Sequence, residues 1–465
     1  VRKKLGENIV KQLEEIVGKN NTFTIASDME AYTHDETPGL RGTPDAVVRV
    51  QNREQIVEIL KLANSERIFV IPRGGGTGLS GGAVPMYGGI VLSLEKMNRI
   101  LDIDTRNYMA VVEAGTINGN LQREVEKYEL FYPINPASMD SCTIGGNVAE
   151  AAGGANAVRY GTTKDYVTGM EVVLPTGEVV RAGGKLMKNA TDDGFIRLLL
   201  GSEGTFGVLT EITMRLIPKP AATLVLVIPF HSIAPISEAV ARIFAKKIIP
   251  TMLELMDNKT IQVCEGYLST EIPYHQAAFH LLVRLDEESN ENLEKVAEII
   301  GEICLEAGAL EVLVAADTQR QEEIWKIRRS IHDALVHKAS LLADEDVVVP
   351  RNEITRLILG TTEISKRLSL PVAFFGHLGD GNIHVNFLRE DRSIAEVEKL
   401  LPAALLELFQ LTIGLEGKIS GEHGVGFFKK PYLHLSVDEG YISILRRIKK
   451  ALDPSGIMNP GKIID

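Results

Sequence analysis

Three cysteines in 465 residues are too few for a disulfide framework. Cys142, Cys264 and Cys304 are odd in number, far apart and without a CxxC pair, which also argues against a built-in iron–sulfur cluster. Long apolar runs are missing too. No stretch reaches the roughly 20 residues that a membrane helix needs, and LVLVIPF, Leu224 to Phe230, has the length of a buried strand. Basic blocks are lacking: 50 Lys and Arg face 62 Asp and Glu, a formal charge of −12, so no nucleic-acid partner is expected. The acidic surplus suits solubility and would steer positively charged partner surfaces. The opening VRKKLGENIVKQLEEIVG is patterned as a charged amphipathic helix rather than a signal peptide. The expected location is the cytoplasm, with peripheral membrane contact left open. Internal repeats and low-complexity tracts are also absent.

What is present is glycine, 42 residues of it in clusters, the signature of loops where backbone must approach a ligand closely. The chain length implies two or three domains. The region 1–220 alternates short apolar runs (Ala46–Val50, Ile68–Ile71, Ile90–Leu94, Ala110–Glu113, Met170–Leu174) with turn signals and with helical spacing over Asn52–Asn64. The prolines of IPKP, Ile217 to Pro220, mark a boundary. The region 221–415 has longer helical segments: Ser237–Lys247, Glu291–Ala307, Gln319–Leu335, and Ser393–Leu411 with an interruption near Pro402. Strands Ala278–Leu285 and Pro371–Phe375 lie between them. This texture predicts an α+β domain with helices on an antiparallel sheet. The segment 416–465 carries two dense motifs and is expected to return to the first domain.

The stretch IFVIPRGGGTGLSGGAVP runs from a strand through Pro72 and Arg73 into a loop in which six of the nine residues Gly74 to Gly82 are glycine. Consecutive residues without a Cβ can turn their N–H groups inward and form an anion-binding nest. A Walker A loop would end in Gly-Lys-Ser/Thr, and a Rossmann loop would open a helix; this loop does neither. Further glycine blocks follow at 135–154, 160–165 and 201–208. One phosphate does not require so many, whereas a long cofactor threaded between two lobes would.

PRGGGTGLSGG, PASMDSCTIGGNVAEAAGG, RYGTTKDYV and GSEGTFGVLTEITMRL together resemble the FAD domain of the vanillyl-alcohol oxidase / p-cresol methylhydroxylase superfamily. FGHLGDGNIHVNF, SGEHGVG and DPSGIMNPGKI resemble its D-lactate dehydrogenase / glycolate oxidase / D-2-hydroxyglutarate dehydrogenase branch. The resemblance spans about Pro38 to Lys462. It implies a two-lobed FAD-binding domain plus an α+β cap domain. It further implies that Pro72, Arg73, Gly74, Gly75, Gly76, Thr77, Gly78, Ser80 and Gly81 hold the FAD pyrophosphate. Pro136, Ser138, Thr143, Gly145, Gly146 and Asn147 would line the flavin, and Gly154, Arg159, Gly161, Glu203, Gly207, Val208 and Ile212 would complete the pocket. Asn459 would approach from the tail. Relatives that attach FAD covalently commonly have a histidine in the first loop; none is present here, which implies non-covalent FAD. Cys142 reads as a small buried residue rather than an attachment point.

In FFGHLGDGNIHVNF the Asp380-Gly381 pair is a hairpin signal. With that pair at the tip, His377 faces His384 across two strands, suited to sharing one cation such as zinc, iron or manganese. The resemblance implies Glu422 as the third ligand and His423 as the base beside the flavin. It also implies Arg328 as the arginine for the substrate carboxylate, with Arg329 solvated. Oxidation of a 2-hydroxy acid moves the hydroxyl proton to a base and the C2 hydride to the flavin. A divalent cation eases the first step, and an imidazole can perform it near neutral pH.

Relatives specific for long dicarboxylates carry a basic residue where this chain has Ala343-Asp344-Glu345-Asp346. If one of these acids points inward, a distal carboxylate is disfavoured; if all three face solvent on a turn, they matter little. The expectation is therefore a short monocarboxylate, D-lactate or glycolate. D-2-hydroxyglutarate dehydrogenase, an O2-using alcohol oxidase, a non-catalytic FAD subunit and a flavin-free metal hydrolase are the alternatives. With no cluster or haem motif of its own, the chain would pass electrons to an electron-transfer flavoprotein, an iron–sulfur subunit or a membrane quinone.

Overall fold

A computed structural model describes residues 5–390 and 392–464. The fold is α+β, with two compact units. The first is built from the described parts of Val1–Gly153, Thr162–Lys219 and Glu422–Asp465; the second from Gly154–Gly161 and Pro220–Gly421.

In the first unit, strands Ala46–Arg49 and Val70–Arg73 flank Ile90–Ser93, all parallel. The helix Arg53–Glu66 makes the crossover. Asn52 caps it by accepting from Gln55 N at 3.0 Å, and Ile56, Ile59, Leu60 and Ala63 form its buried stripe. The tail joins the Val70 strand: Val70 N donates to Ile457 O at 2.9 Å and Asn459 N donates to Val70 O at 2.8 Å. A second, antiparallel sheet has the order Ile100–Asp104, Met109–Glu113, Val208–Arg215, Val167–Val173, Val179–Gly183.

The second unit is centred on a seven-stranded antiparallel sheet. Its order is Leu313–Ala315, Ala222–Phe230, Phe279–Glu287, Met252–Asp257, Val372–His377, Asn382–Leu388, Leu341–Val348. Met252, Met256 and Phe375 project from one face into a core completed by Ile261, Cys264, Trp325, Ile331 and Leu335 from three helices, Asn258–Leu268, Thr318–Arg329 and Ile331–Ala339.

Two local expectations are corrected and one open alternative is decided. The single helix over Gln319–Leu335 is two helices meeting at Ser330. The helix Ile394–Gly414 runs through Pro402 without a break; burial of Val397, Leu405, Leu408 and Phe409 along it offsets the lost backbone bond. Asp344-Glu345-Asp346 is not a solvated turn but the middle of a strand, all three residues at most 5% exposed. Among the described residues, no helix is long and apolar enough to cross a membrane.

Candidate active site

In the first unit the glycine loop after Val70–Arg73 is packed so tightly that side chains are excluded. A Cβ at Gly75 would lie 2.3 Å from Ser141 O. One at Gly76, whose φ is +71°, would lie 2.0 Å from the Arg73 guanidinium. That guanidinium is itself occupied with the carbonyls of His34 and Ala31, at 2.8 and 2.9 Å, so Arg73 anchors the loop from beneath. Thr143 caps the helix Ile144–Glu150, accepting from Gly146 N at 3.1 Å. Gly145 lies against Ala114. Asn147 donates to Asn118 Oδ1 at 3.1 Å, and Ser138 O accepts from Ser141 N and Cys142 N. Gly207 abuts Val172 and Val173, while Val208 and Ile212 are wholly buried in the adjoining strand. The Ser80 Oγ is buried without a hydrogen-bond partner, a polar atom available to a bound group. This cradle of backbone amides and bare Cα atoms fits a phosphate-bearing cofactor. Gly154, Arg159 and Gly161 fall in the second unit, where Arg159 pairs with Glu287 at 3.4 Å.

The SGEHGVG segment straddles two sets of contacts along the chain. Ser420 Oγ and Gly421 N both donate to Asp346, at 3.1 and 2.8 Å, within the second unit. Glu422 and His423 follow directly. Beyond them, Val425 N and Gly426 N both donate to the Glu203 carboxylate at 2.7 Å, within the first unit. Glu203 thus clamps the segment that carries His423, and its backbone carbonyl accepts from Asn459 Nδ2 at 2.6 Å. Burial pushes the Glu203 carboxyl up to about 7, against the pull of those amides and of Lys462 and Lys429. Glu150 is raised well above the ordinary range by burial and by the charge of Glu203. Lys462, which donates to Val84 O at 2.6 Å, is lowered to about 8 by burial. The sequence reading assigned no part to Glu150 and Lys462, although both lie inside the quoted motifs PASMDSCTIGGNVAEAAGG and DPSGIMNPGKI.

In the second unit, His377 and His384 share one sheet face with their ligand atoms within 4.8 Å of each other. Their ring centroids are 5.4 Å apart and their planes at 80°. The register expected for them is corrected by two residues. His377 lies opposite Asn382, and His384 opposite Phe375, on which it stacks at 4.5 Å. The loop is four residues rather than two, because Asp380 N and Gly381 N both return to His377 O. A slip of two residues keeps every side chain on its face, so the imidazoles still meet, diagonally.

Carboxylates back both rings. Glu254, 0% exposed, lies opposite His377 on the next strand and accepts from its Nδ1 at 2.7 Å. Asp344 Oδ1 lies 3.5 Å from His384 Nδ1, and its Oδ2 lies 3.3 Å from His332 Nδ1. Arg328, 7% exposed, places Nε 2.7 Å and Nη2 2.6 Å from Glu254 Oε2. Its guanidinium lies over Phe375, 4.8 Å from the ring centroid. Burial opposes ionisation of Glu254, but the adjacent His377 and Arg328 outweigh it and hold the carboxyl below its ordinary value. A signal for Glu254 did exist in the sequence: a lone acid inside the apolar run Met252–Met256.

The first unit thus carries a cradle suited to a phosphate-bearing cofactor, and the second a buried two-histidine face. Residues 219–463 match the family described as FAD linked oxidases, C-terminal domain, and residues 44–183 match the FAD binding domain family. The chain is 38% identical to the glycolate oxidase subunit GlcD of Bacillus subtilis, covering 98% of this chain and 97% of that protein. It is 35% identical to the D-lactate dehydrogenase of Anaerostipes hadrus, covering 99% and 98%. The solved structure of p-cresol methylhydroxylase with substrate bound aligns with a TM-score of 0.78 at 19% identity, covering 98% of this chain and 96% of that one, which shows the shared fold. The chain therefore belongs to the FAD-linked oxidases, in the glycolate oxidase / D-lactate dehydrogenase / D-2-hydroxyglutarate dehydrogenase group. It is an FAD-dependent oxidoreductase.

Proposed function

We propose that the chain oxidises a short 2-hydroxy acid, D-lactate or glycolate, to the 2-oxo acid, with FAD as hydride acceptor and a divalent cation at the substrate site. The observation that carries this reading is the buried His377–His384 pair, backed by Glu254 and Asp344, with Arg328 held on Glu254 and over Phe375. Two imidazoles with one further carboxylate, Glu422, make the donor set of an open site for zinc, iron or manganese. Such a cation supplies Lewis-acid polarisation of the substrate oxygens. FAD, held non-covalently by the glycine loops, supplies the acceptor for the C2 hydride.

His423 takes the hydroxyl proton as a neutral imidazole, and the Glu203 clamp on Val425 and Gly426 fixes the loop that carries it. Arg328 has five N–H donors; two engage Glu254, and the rest serve the substrate carboxylate beside C2. Asp344 shares the sheet face of His384, so a second, distal carboxylate meets like charge there. That favours lactate or glycolate over 2-hydroxyglutarate. With no cluster or haem motif of its own, the chain would need an external acceptor, an electron-transfer flavoprotein or an iron–sulfur subunit.

Dialysis against a strong chelator tests the reading. FAD should stay bound while anaerobic flavin reduction by D-lactate is lost, and zinc, iron or manganese should restore it. An undiminished rate in metal-free protein would contradict it.

A further inference from the structure

Glu254 serves two groups with its two oxygens. Oε1 accepts from His377 Nδ1 at 2.7 Å, and Oε2 takes both Nε and Nη2 of Arg328 at 2.7 and 2.6 Å. The carboxylate is wholly buried. A buried ion pair is weak evidence for stability, since well-packed apolar residues often do as well or better. An imidazole that donates Nδ1–H to a carboxylate carries its lone pair on Nε2, with the ring held at a fixed angle. Arg328 reaches the second histidine as well: its guanidinium lies on Phe375, and Phe375 stacks on His384 with the planes at 16°.

We propose that Glu254 is a positioning residue that couples cation binding to recognition of the substrate carboxylate. It fixes His377 with Nε2 as the ligating atom and holds the Arg328 guanidinium against Phe375. This rests on the metal reading given above. Cation affinity and substrate KM then depend on one carboxylate that touches neither the cation nor the substrate.

The experiment uses the full-length FAD-loaded protein and two variants, Glu254→Gln and Glu254→Asp. Zinc affinity is measured by competition with a chromophoric chelator, and the site is read by the visible spectrum of the cobalt(II)-substituted protein. Glu254→Gln should weaken zinc by about 10–100-fold, the usual effect of losing an outer carboxylate. It should also alter the cobalt bands and raise KM for D-lactate, with FAD content unchanged. Glu254→Asp keeps the charge on a shorter arm, so its zinc affinity should fall between wild type and Gln. It also decides the matter if the Gln variant fails to hold FAD. Wild-type zinc affinity and cobalt bands in an FAD-loaded Glu254 variant would overturn the role of Glu254 alone. A wild type that binds neither zinc nor cobalt would overturn the metal reading and this proposal with it.

Discussion

His384 is fixed from two sides, stacked on Phe375 and faced by Asp344, and His377 is fixed by Glu254. Both rings are set in advance, so removing either should cost the cation rather than the fold. His377→Ala and His384→Ala are expected to lose metal and most activity while retaining FAD; metal analysis of the purified variants checks this, and full occupancy in both would contradict it. His423 is placed differently, between glycines on a loop clamped by Glu203. His423→Asn should slow anaerobic flavin reduction by a factor on the order of 10² or more, as loss of a general base does, with metal content little changed. A normal reduction rate would assign the base to another residue. At this scale the sequence was legible where chemistry comes in motifs. GHLGDGNIH and SGEHGVG announce themselves, whereas Glu254 shows in the sequence only as a lone acid in an apolar run, and its partners His377 and Arg328 appear only once the strands and helices are folded.

Among the elements, the hairpin 372–388 is the instructive case. Asp380-Gly381 located the turn but not its length. The pairing slipped by two residues because the chain satisfies His377 O twice before re-entering the ladder. An even slip preserves the faces, so the imidazole pair survived the misread register. The acidic stretch stood open in the sequence between an inward-facing and a solvated reading, and burial decides for the inward one. Three consecutive acids look like a solvated turn, yet each of Asp344 and Asp346 has partners in the fold, His332 and His384 for the former, Ser420 and Gly421 for the latter. Those partners lie 12 to 75 residues away along the chain, beyond the reach of local pattern. The glycine loop is packed against protein backbone and side chains, and it makes a prediction. Gly75→Ala puts a methyl 2.3 Å from a backbone carbonyl, which should cost about 1–3 kcal/mol. FAD retention during gel filtration should fall while zinc binding is spared; full FAD retention would show that the loop has slack.

For the molecule as a whole, burial has set a pH dependence into the first unit. Glu203 and Glu150 are both raised above the ordinary carboxyl value, by burial first and then, for Glu150, by the charge of Glu203. A raised carboxyl binds its proton more tightly folded than unfolded. The contribution is therefore complete below about pH 4.5 and is lost as pH rises through the Glu203 value of about 7. Glu150→Gln removes one of the two like charges. The variant should be nearly as stable as the wild type at pH 5 and more stable at pH 8, by on the order of 1–3 kcal/mol. Denaturant melts at the two pH values check this, and equal slopes for both proteins would contradict it.

The central claim, that a metal-assisted flavin oxidises a short 2-hydroxy acid here, is tested most directly by anaerobic stopped-flow reduction of the bound FAD. D-lactate, glycolate and D-2-hydroxyglutarate are compared on the metal-replete protein. The account predicts rapid bleaching of the flavin by D-lactate or glycolate and a slower, weaker reaction with D-2-hydroxyglutarate. Faster and tighter reduction by D-2-hydroxyglutarate would contradict the monocarboxylate assignment, and a flavin left oxidised by all three would contradict the claim itself.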